Sequence, residues 1–173
     1  MIFPLRNLKR YVNKALHQPG YAMQVLEKRL KASLYYRFGN GRSGPPEAVT
    51  FFLTHRCNLR CRMCGQWGES GVTKKMSTDS MKEEMSLKEL ESCIDQVRRY
   101  RPSITLFGGE PLLHAGCVEL VRYIKDAGLH CVMITNGSML EKFAADLVEA
   151  GLDELNVSLD GGPRLHNDIR GMD

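Results

Sequence analysis

The sequence predicts an α/β protein built on a parallel sheet, in the form of a partial (βα) barrel. Four short segments rich in β-branched and aromatic residues follow residue 47, and stretches with apolar residues at helical spacing separate them. Strand–helix–strand units of this kind are typical of parallel sheets with right-handed crossovers. The chain has 173 residues, whereas a closed parallel barrel typically needs roughly 200 or more. We therefore expect a barrel that stops after about four strands.

A basic helical arm and a linker are expected before the sheet, over residues 1–46, with the α/β domain over 47–173. Apolar residues recur at helical spacing over 4–17 and 20–37, and residues 39–46 hold three Gly and two Pro, which favour a linker. The arm has nine Lys and Arg against one Glu, a net charge of +8, whereas fifteen Lys and Arg against nineteen acidic residues give the remainder −4.

Two interpretations of this charge stay open. The arm is either a solvated helical face beside the main domain, or a surface that meets an acidic partner or an anionic membrane. It shows no nucleic-acid-binding motif, so we expect no nucleic-acid partner. No apolar run reaches the ~18 residues of a transmembrane helix, and no secretory signal is evident. We expect a cytoplasmic protein without a transmembrane segment.

Within the α/β part, strands and helices are expected to alternate in chain order. Ser86 and Glu89 form a capping-box signature that opens the helix after the first strand. Ser138 and Glu141 form a second signature, which opens the helix before the last strand, and apolar residues within 118–124 mark the helix between them. The predicted strands cover residues 49–53, 104–107, 131–135 and 155–159.

In the last strand, apolar and polar residues alternate. Leu155, Val157 and Leu159 are expected to face one side of the sheet and pack on helices, because side chains alternate along a strand. The other side would then be polar at the carboxyl end of the strand, where α/β proteins place ligands. The polar residues that alternate with the apolar ones are Asn156, Ser158 and Asp160.

Three cysteines carry the strongest chemical signal, because Cys57, Cys61 and Cys64 lie within eight residues of the loop after the first strand. Cysteines this close, in a reducing compartment, indicate soft ligands around one metal centre. Three protein ligands leave one coordination position for another molecule, as in an iron–sulfur cluster with one open iron. The alternative is a zinc site that His55 completes.

Other chemically reactive residues are expected to be structural. Cys93, Cys117 and Cys131 lie in predicted helices and a strand, where free cysteine usually fills the core. His114 has the same interpretation. Residues 66–85 are expected to form a long loop, of the kind that serves as a lid or a mobile segment.

Two further segments suit a small polar ligand. Gly108, Gly109 and Glu110 end the second strand, where paired glycines allow close backbone approach and a carboxylate suits an ammonium group. Hydroxyl, carboxylate and guanidinium groups lie near and beyond the end of the fourth strand. They belong to Ser158, Asp160 and Arg170.

In this order, the segments resemble the radical S-adenosylmethionine (SAM) enzymes over residues 49–171. Cys-x3-Cys-x2-Cys after a first strand and Gly-Gly-Glu-Pro after a second are specific to that family. The resemblance implies a [4Fe–4S] cluster on Cys57, Cys61 and Cys64, with SAM on the open iron. It also implies which residues contact SAM. They are Met63 on the adenine side, Gly108, Gly109 and Glu110 at the amino group, Ser158 and Asp160 as ribose and carboxylate contacts, Arg170 at the carboxylate, and Asn136 as a candidate that faces the lumen.

The resemblance also implies an activity. A reduced cluster would cleave SAM to a 5′-deoxyadenosyl radical that abstracts hydrogen from a substrate, with flavodoxin or ferredoxin as electron donor. Ser-Leu-Asp-Gly before His-x-x-Ile-Arg-Gly resembles the branch that often carries a C-terminal auxiliary-cluster (SPASM-type) domain and modifies peptides or builds cofactors. Met63 replaces a usual aromatic residue, and the fifth and sixth strands of the family are absent, so the missing C-terminal half is an expected partner. The alternative is a non-catalytic iron–sulfur or zinc module.

Overall fold

The computed structural model describes residues 8–172, with the side chains of all of these except 8–11 and 14. The chain divides into two compact units between Glu47 and Ala48. The N-terminal unit holds two helices, α1 (Leu8–His17) and α2 (Pro19–Phe38), which pack against each other. The predicted start of the first helix, at residue 4, lies outside the described residues. Within the described chain, no helix combines the length and apolar character needed to cross a bilayer.

The second unit is a parallel sheet of four strands, β1 (Ala48–Phe52), β2 (Ser103–Phe107), β3 (His130–Thr135) and β4 (Glu154–Val157). Their order in the sheet is the order in the chain, and every neighbouring pair is parallel. This arrangement confirms the predicted α/β partial barrel. Its carboxyl edge therefore collects the loops that follow all four strands.

Four helices accompany the sheet: α3 (Leu87–Val97), α4 (Cys117–Asp126), α5 (Leu140–Glu149) and α6 (Pro163–Arg170). The capping box of α3 is confirmed, because Ser86 Oγ accepts from the Glu89 amide and the Glu89 carboxylate accepts from the Ser86 amide. The second predicted capping box is wrong. Ser138 Oγ donates to Asn136 Oδ1 at 2.6 Å, and Met139, which makes no side-chain cap, precedes α5.

The core lies between the sheet and α3–α5. Ile104 and Leu106 of β2 are fully buried against α3 and α4, and Met133 of β3 joins them. Cys117 and Cys131 belong to this core, whereas Cys93 is partly buried at its margin. His114 is buried, with hydrogen bonds to the Met85 carbonyl and from the Gly116 amide.

The predicted packing of the last strand is wrong. Leu155 is 39% exposed and Val157 is 49% exposed, although the parallel register places them on the helix side with Met133 and Thr135. The strand ends at Val157, and Leu159 is 74% exposed. Since β4 is an edge strand, its apolar side contributes little to the core among the described residues.

Alkaline pH is expected to destabilise the second unit through its two core thiols. Burial raises the pKa of both Cys117 and Cys131 to about 12, from an ordinary value of 9.0. A raised folded-state pKa stabilises the fold below the unfolded-state pKa, and this contribution is lost as pH rises through the folded value. We expect the free energy of unfolding, measured in urea, to fall between about pH 9 and pH 12. In a variant with both Cys117→Ala and Cys131→Ala, the free energy of unfolding should fall less steeply with pH. An unchanged dependence on pH would contradict the role of these two thiols.

Candidate active site

Backbone hydrogen bonds join the segments that follow β1 and β2. The Leu53 amide donates to the Phe107 carbonyl at 2.9 Å, and the Gly109 amide donates to the Thr54 carbonyl at 2.7 Å. The Glu110 amide continues the pattern by donating to the Arg56 carbonyl at 2.9 Å. The Gly-Gly-Glu segment therefore supports the chain directly before the cysteine loop.

Glycine is required at this junction because the two backbones touch. A Cβ atom on Gly108 would lie 2.8 Å from the Thr54 carbonyl oxygen, and Gly108 has a φ of +155°. A Cβ atom on Gly109 would lie 2.1 Å from the Arg56 carbonyl oxygen. The paired glycines thus serve the packing of one loop on the other, a role that the sequence interpretation did not assign.

The first and third cysteine sulfurs each accept from a backbone amide two residues ahead. The Leu59 amide lies 3.5 Å from Cys57 Sγ, and the Gln66 amide lies 3.4 Å from Cys64 Sγ. Asn136 Nδ2, at the end of β3, also points to Cys57 Sγ at 3.9 Å. Such N–H donors favour the thiolate, which is the metal-binding form of cysteine.

The second cysteine meets a cation. Arg170 Nη1 lies 3.8 Å from Cys61 Sγ, and Arg170 Nε donates to Asp160 Oδ2 at 2.5 Å. Arg170, the last residue of α6, thus links the carboxylate after β4 to the sulfur. The Arg62 amide also donates to the Ile169 carbonyl at 2.9 Å, and Arg62 Nη2 donates to Asp168 Oδ2 at 2.6 Å, so α6 is joined to the cysteine loop at three points.

The three sulfurs do not form a preassembled metal site. Among residues 8–172, no three His, Cys, Asp or Glu side chains are gathered closely enough to hold a metal ion. Burial raises the pKa of the Cys57 thiol, and nearby Cys61 and Glu110 raise it further. A metal would have to displace this proton, since binding requires the thiolate. The donor set, three soft sulfurs that each receive an N–H group, fits an iron–sulfur cluster, whose sulfurs commonly accept such hydrogen bonds.

Glu110 lies fully buried beside this loop. Its carboxylate accepts from Thr135 Oγ1 at 2.8 Å, from the Asn136 amide at 2.9 Å and from the Leu112 amide at 3.3 Å. A buried carboxylate with this many donors is well satisfied. Glu110 therefore connects the ends of β2 and β3 and holds Asn136 at Cys57.

The remaining sequence-predicted residues lie at the same edge with fewer contacts. Met63 is 64% exposed. Ser158 is half-buried, and its amide donates to the Thr135 carbonyl at 3.0 Å. His55, the ligand of the alternative zinc site, packs its ring on Phe52 with the ring centroids 4.8 Å apart.

The sequence interpretation missed an ion pair next to the cysteine loop. Arg56 donates from Nε and Nη2 to the two carboxylate oxygens of Glu84 at 2.7 and 2.8 Å, and its Nη2 also donates to the Leu113 carbonyl at 2.7 Å. The Thr54 hydroxyl donates to the same carboxylate. Burial raises the pKa of Glu84, but the bonds from Arg56 and Thr54 outweigh it, so the pKa lies below its ordinary value. The long loop is thereby fastened at its far end.

Glu84→Gln is expected to loosen the long loop. The loss of the ion pair should lower the free energy of unfolding by no more than about 1 kcal/mol, because Arg56 is partly exposed. Because the pKa of Glu84 is lowered in the folded protein, the ion pair stabilises the fold at pH values above the ordinary pKa of Glu. This stabilisation is lost as the pH falls through the folded-state pKa of Glu84. We therefore expect faster tryptic cleavage after Lys74 and Lys75 in the variant at pH 7. Glu83 is exposed and provides the control, so the Glu83→Gln variant should be cleaved at the wild-type rate. Equal cleavage rates in the two variants would contradict a role of the Arg56–Glu84 ion pair in holding the loop.

The start of the same loop is anchored by aromatic and amide contacts. The Arg60 guanidinium lies 3.8 Å from the centre of the Trp67 ring, and Trp67 Nε1 donates to the His55 carbonyl at 3.2 Å. Gln66 Nε2 donates to the Gly108 carbonyl at 3.3 Å. The loop thus contacts both the cysteine segment and the glycine pair.

Three thiols follow the first strand of this parallel sheet, and polar groups follow the other three strands at the same edge. This arrangement is typical of α/β proteins that hold a cofactor at the mouth of a partial barrel. A family model described as the Radical SAM superfamily matches residues 51–173. The chain belongs to the Radical SAM superfamily, whose cofactors are a [4Fe–4S] cluster and S-adenosylmethionine.

Similar proteins include a probable cyclase and a heme synthase. The chain is 34% identical over 142 residues to a probable GTP 3′,8-cyclase of Thermococcus kodakarensis, across 81% of this chain and 42% of that protein. It is 36% identical over 131 residues to an AdoMet-dependent heme synthase of Methanosarcina barkeri, across 73% of this chain and 35% of that protein. The chain therefore spans less than half the length of these relatives.

Solved structures share the fold. SuiB of Streptococcus suis, bound to S-adenosylmethionine, superposes with a TM-score of 0.60 at 16% identity and covers 95% of this chain and 39% of SuiB. BtrN in complex with AdoMet and 2-DOIA gives a TM-score of 0.55 at 20% identity, over 73% of this chain and 52% of BtrN. At these identities the likeness concerns the fold alone.

Proposed function

We propose that this chain forms the cofactor-binding part of a radical SAM enzyme, with Cys57, Cys61 and Cys64 as the ligands of the [4Fe–4S] cluster. The main support is that each of the three sulfurs accepts a hydrogen bond from an N–H group. The donors are Leu59 and Asn136 for the first sulfur, Arg170 for the second and Gln66 for the third. These donors stabilise the negative charge of cluster thiolates.

SAM would lie at the carboxyl edge of the sheet, against the ends of the later strands. When bound together, a cluster reduced by one electron and SAM would supply the radical chemistry that removes a hydrogen atom from a substrate. The chain's residues would bind and orient SAM, and the Arg170 guanidinium would present its positive charge to the SAM carboxylate. The proposed contacts are Met63, Gly108, Gly109, Glu110, Asn136, Ser158, Asp160 and Arg170.

Glu110 acts chiefly as a positioning residue in this proposal. Both of its carboxylate oxygens accept hydrogen bonds from the protein, from Thr135 and Leu112 on one and from Asn136 on the other. A SAM ammonium would therefore share an already satisfied carboxylate, or bind the neighbouring backbone carbonyls.

The substrate class that we propose is a cofactor precursor or a peptide. The first agrees with relatives named as a GTP cyclase and a heme synthase, and the second with SuiB, solved with its precursor peptide. We propose that flavodoxin or ferredoxin supplies the electron, in the cytoplasm, where thiols stay reduced.

The test is anaerobic reconstitution of the chain with iron and sulfide, followed by SAM. We expect the electron paramagnetic resonance spectrum of the reduced cluster to change on SAM addition, and methionine and 5′-deoxyadenosine to form with dithionite. A cluster whose spectrum does not change when SAM is added would overturn the proposal and favour a non-catalytic iron–sulfur module. Zinc binding without any cluster would favour the zinc alternative.

A further inference from the structure

Helix α2 carries an exposed apolar stripe along one face. Met23, Leu26, Leu30 and Leu34 recur at spacings of three, four and four residues, which places them on the same side of a helix. Their exposed fractions are 66%, 44%, 59% and 58%. Helix α2, 20 residues long, has no fully buried residue. We call these four residues the outer stripe.

Two aromatic residues at the C-terminal end of α2 are exposed as well. Tyr36 is 92% exposed and Phe38 is 76% exposed. Several exposed apolar residues on one helix face, as in the outer stripe, mark an interaction site in soluble proteins. Amphipathic aromatic rings such as tyrosine are favoured where an apolar phase meets water.

The charge around the outer stripe is almost entirely positive. The arm carries nine Lys and Arg and one acidic residue, Glu27, which pairs with Lys31 at 2.5 Å. Lys31 and Arg29 are exposed within the span of the stripe, and Arg37 and Arg42 are exposed at and beyond its C-terminal end. Exposed apolar residues that are flanked by cations favour contact with an anionic lipid interface.

We propose that the α1–α2 pair docks on an anionic membrane surface, with the outer stripe in the acyl boundary and the cations at the lipid headgroups. Helix α2 is not apolar enough to span a bilayer, so it would lie in the plane of the interface. A second copy of the chain is the weaker occupant, because each arm bears a net charge of +8 and two arms would repel each other.

The test is co-sedimentation of the full chain with vesicles. We expect binding to vesicles of phosphatidylcholine mixed with phosphatidylglycerol, little binding to phosphatidylcholine alone, and partial release at high salt, because counterions screen the surface charge. Leu30→Ser combined with Leu34→Ser should weaken the partition constant more than about tenfold, since both side chains would leave the acyl boundary.

A control uses two exposed valines outside the arm. Val72→Ser with Val148→Ser removes side chains that are 66% and 79% exposed, and should bind like the wild type. No sedimentation with anionic vesicles, or equal binding by the leucine double variant, overturns the proposal. Concentration-dependent self-association that the leucine variant abolishes, without vesicle binding, assigns the outer stripe to a second copy instead. Cluster reconstitution should be unchanged in these variants, so this test is independent of the proposed activity.

Discussion

Replacing Cys61 with serine is expected to abolish formation of the [4Fe–4S] cluster. The serine hydroxyl is a harder and far less acidic ligand than a thiol, so one iron would lose its protein anchor. Cys61 is also buried, and its sulfur faces the Arg170 guanidinium. We expect iron and sulfide after reconstitution to fall from about four of each per chain to near zero, with loss of the visible absorbance of the cluster.

The control is another cysteine of the same chain. Cys93 is partly buried at the margin of the core, away from the cysteine loop, and Cys93→Ser should retain the full iron content. Cys57→Ser and Cys64→Ser should behave like Cys61→Ser. A cluster that survives any of these three substitutions would remove that cysteine from the ligand set.

Groups from separate parts of the chain converge on the three sulfurs, which explains why the cysteine loop depends on the whole sheet. Cys57 meets Asn136 after β3, whose position Glu110 after β2 fixes in turn. Cys61 meets Arg170, held by Asp160 after β4. A parallel sheet makes this convergence possible, because all its carboxyl ends lie on one edge. The electrostatics of the sulfurs are therefore set by residues up to 109 positions away.

Much of the architecture could be predicted from local patterns. The strands could be predicted because β-branched runs bounded by polar residues strongly favour the extended conformation. The α3 capping box could be predicted because Ser86 and Glu89 are close in sequence. The same signature failed at Ser138, where Asn136 competes for the hydroxyl. A short motif cannot reveal such a competitor.

Long-range pairs escaped prediction for a physical reason. Arg56 and Glu84 are separated by 28 positions and a loop without periodicity, so no spacing rule joins them. The packing of Leu155 and Val157 was predicted from alternation alone, which gives the face of a strand but not whether another layer covers it. The glycine pair was recognised as ligand-facing, yet its contact with residues 54–56 required the register of two loops.

Gly109→Ala is expected to break the junction between the β1 and β2 loops. The added Cβ would fall 2.1 Å from the Arg56 carbonyl oxygen, and this oxygen accepts the Glu110 amide, so neither backbone can move alone. Overpacking of this kind typically costs about 1–3 kcal/mol, and we expect the upper end because backbone, not a side chain, must shift. Urea denaturation measures the loss in the free energy of unfolding.

Gly65→Ala is the matched control for this prediction, because Gly65 follows the third cysteine and a methyl group added there would have nothing within 4 Å. Its stability should stay within about 1 kcal/mol of the wild type, since a glycine-to-alanine change without strain is neutral or slightly favourable. Displacement of residues 54–56 also moves the chain that enters the cysteine loop, so Gly109→Ala should reconstitute with less cluster than Gly65→Ala. Equal stability and equal iron content in the two variants would show that the glycine pair does not position the cysteine loop. The Gly-Gly-Glu segment would then act on SAM alone, and its effect would appear only when SAM is added.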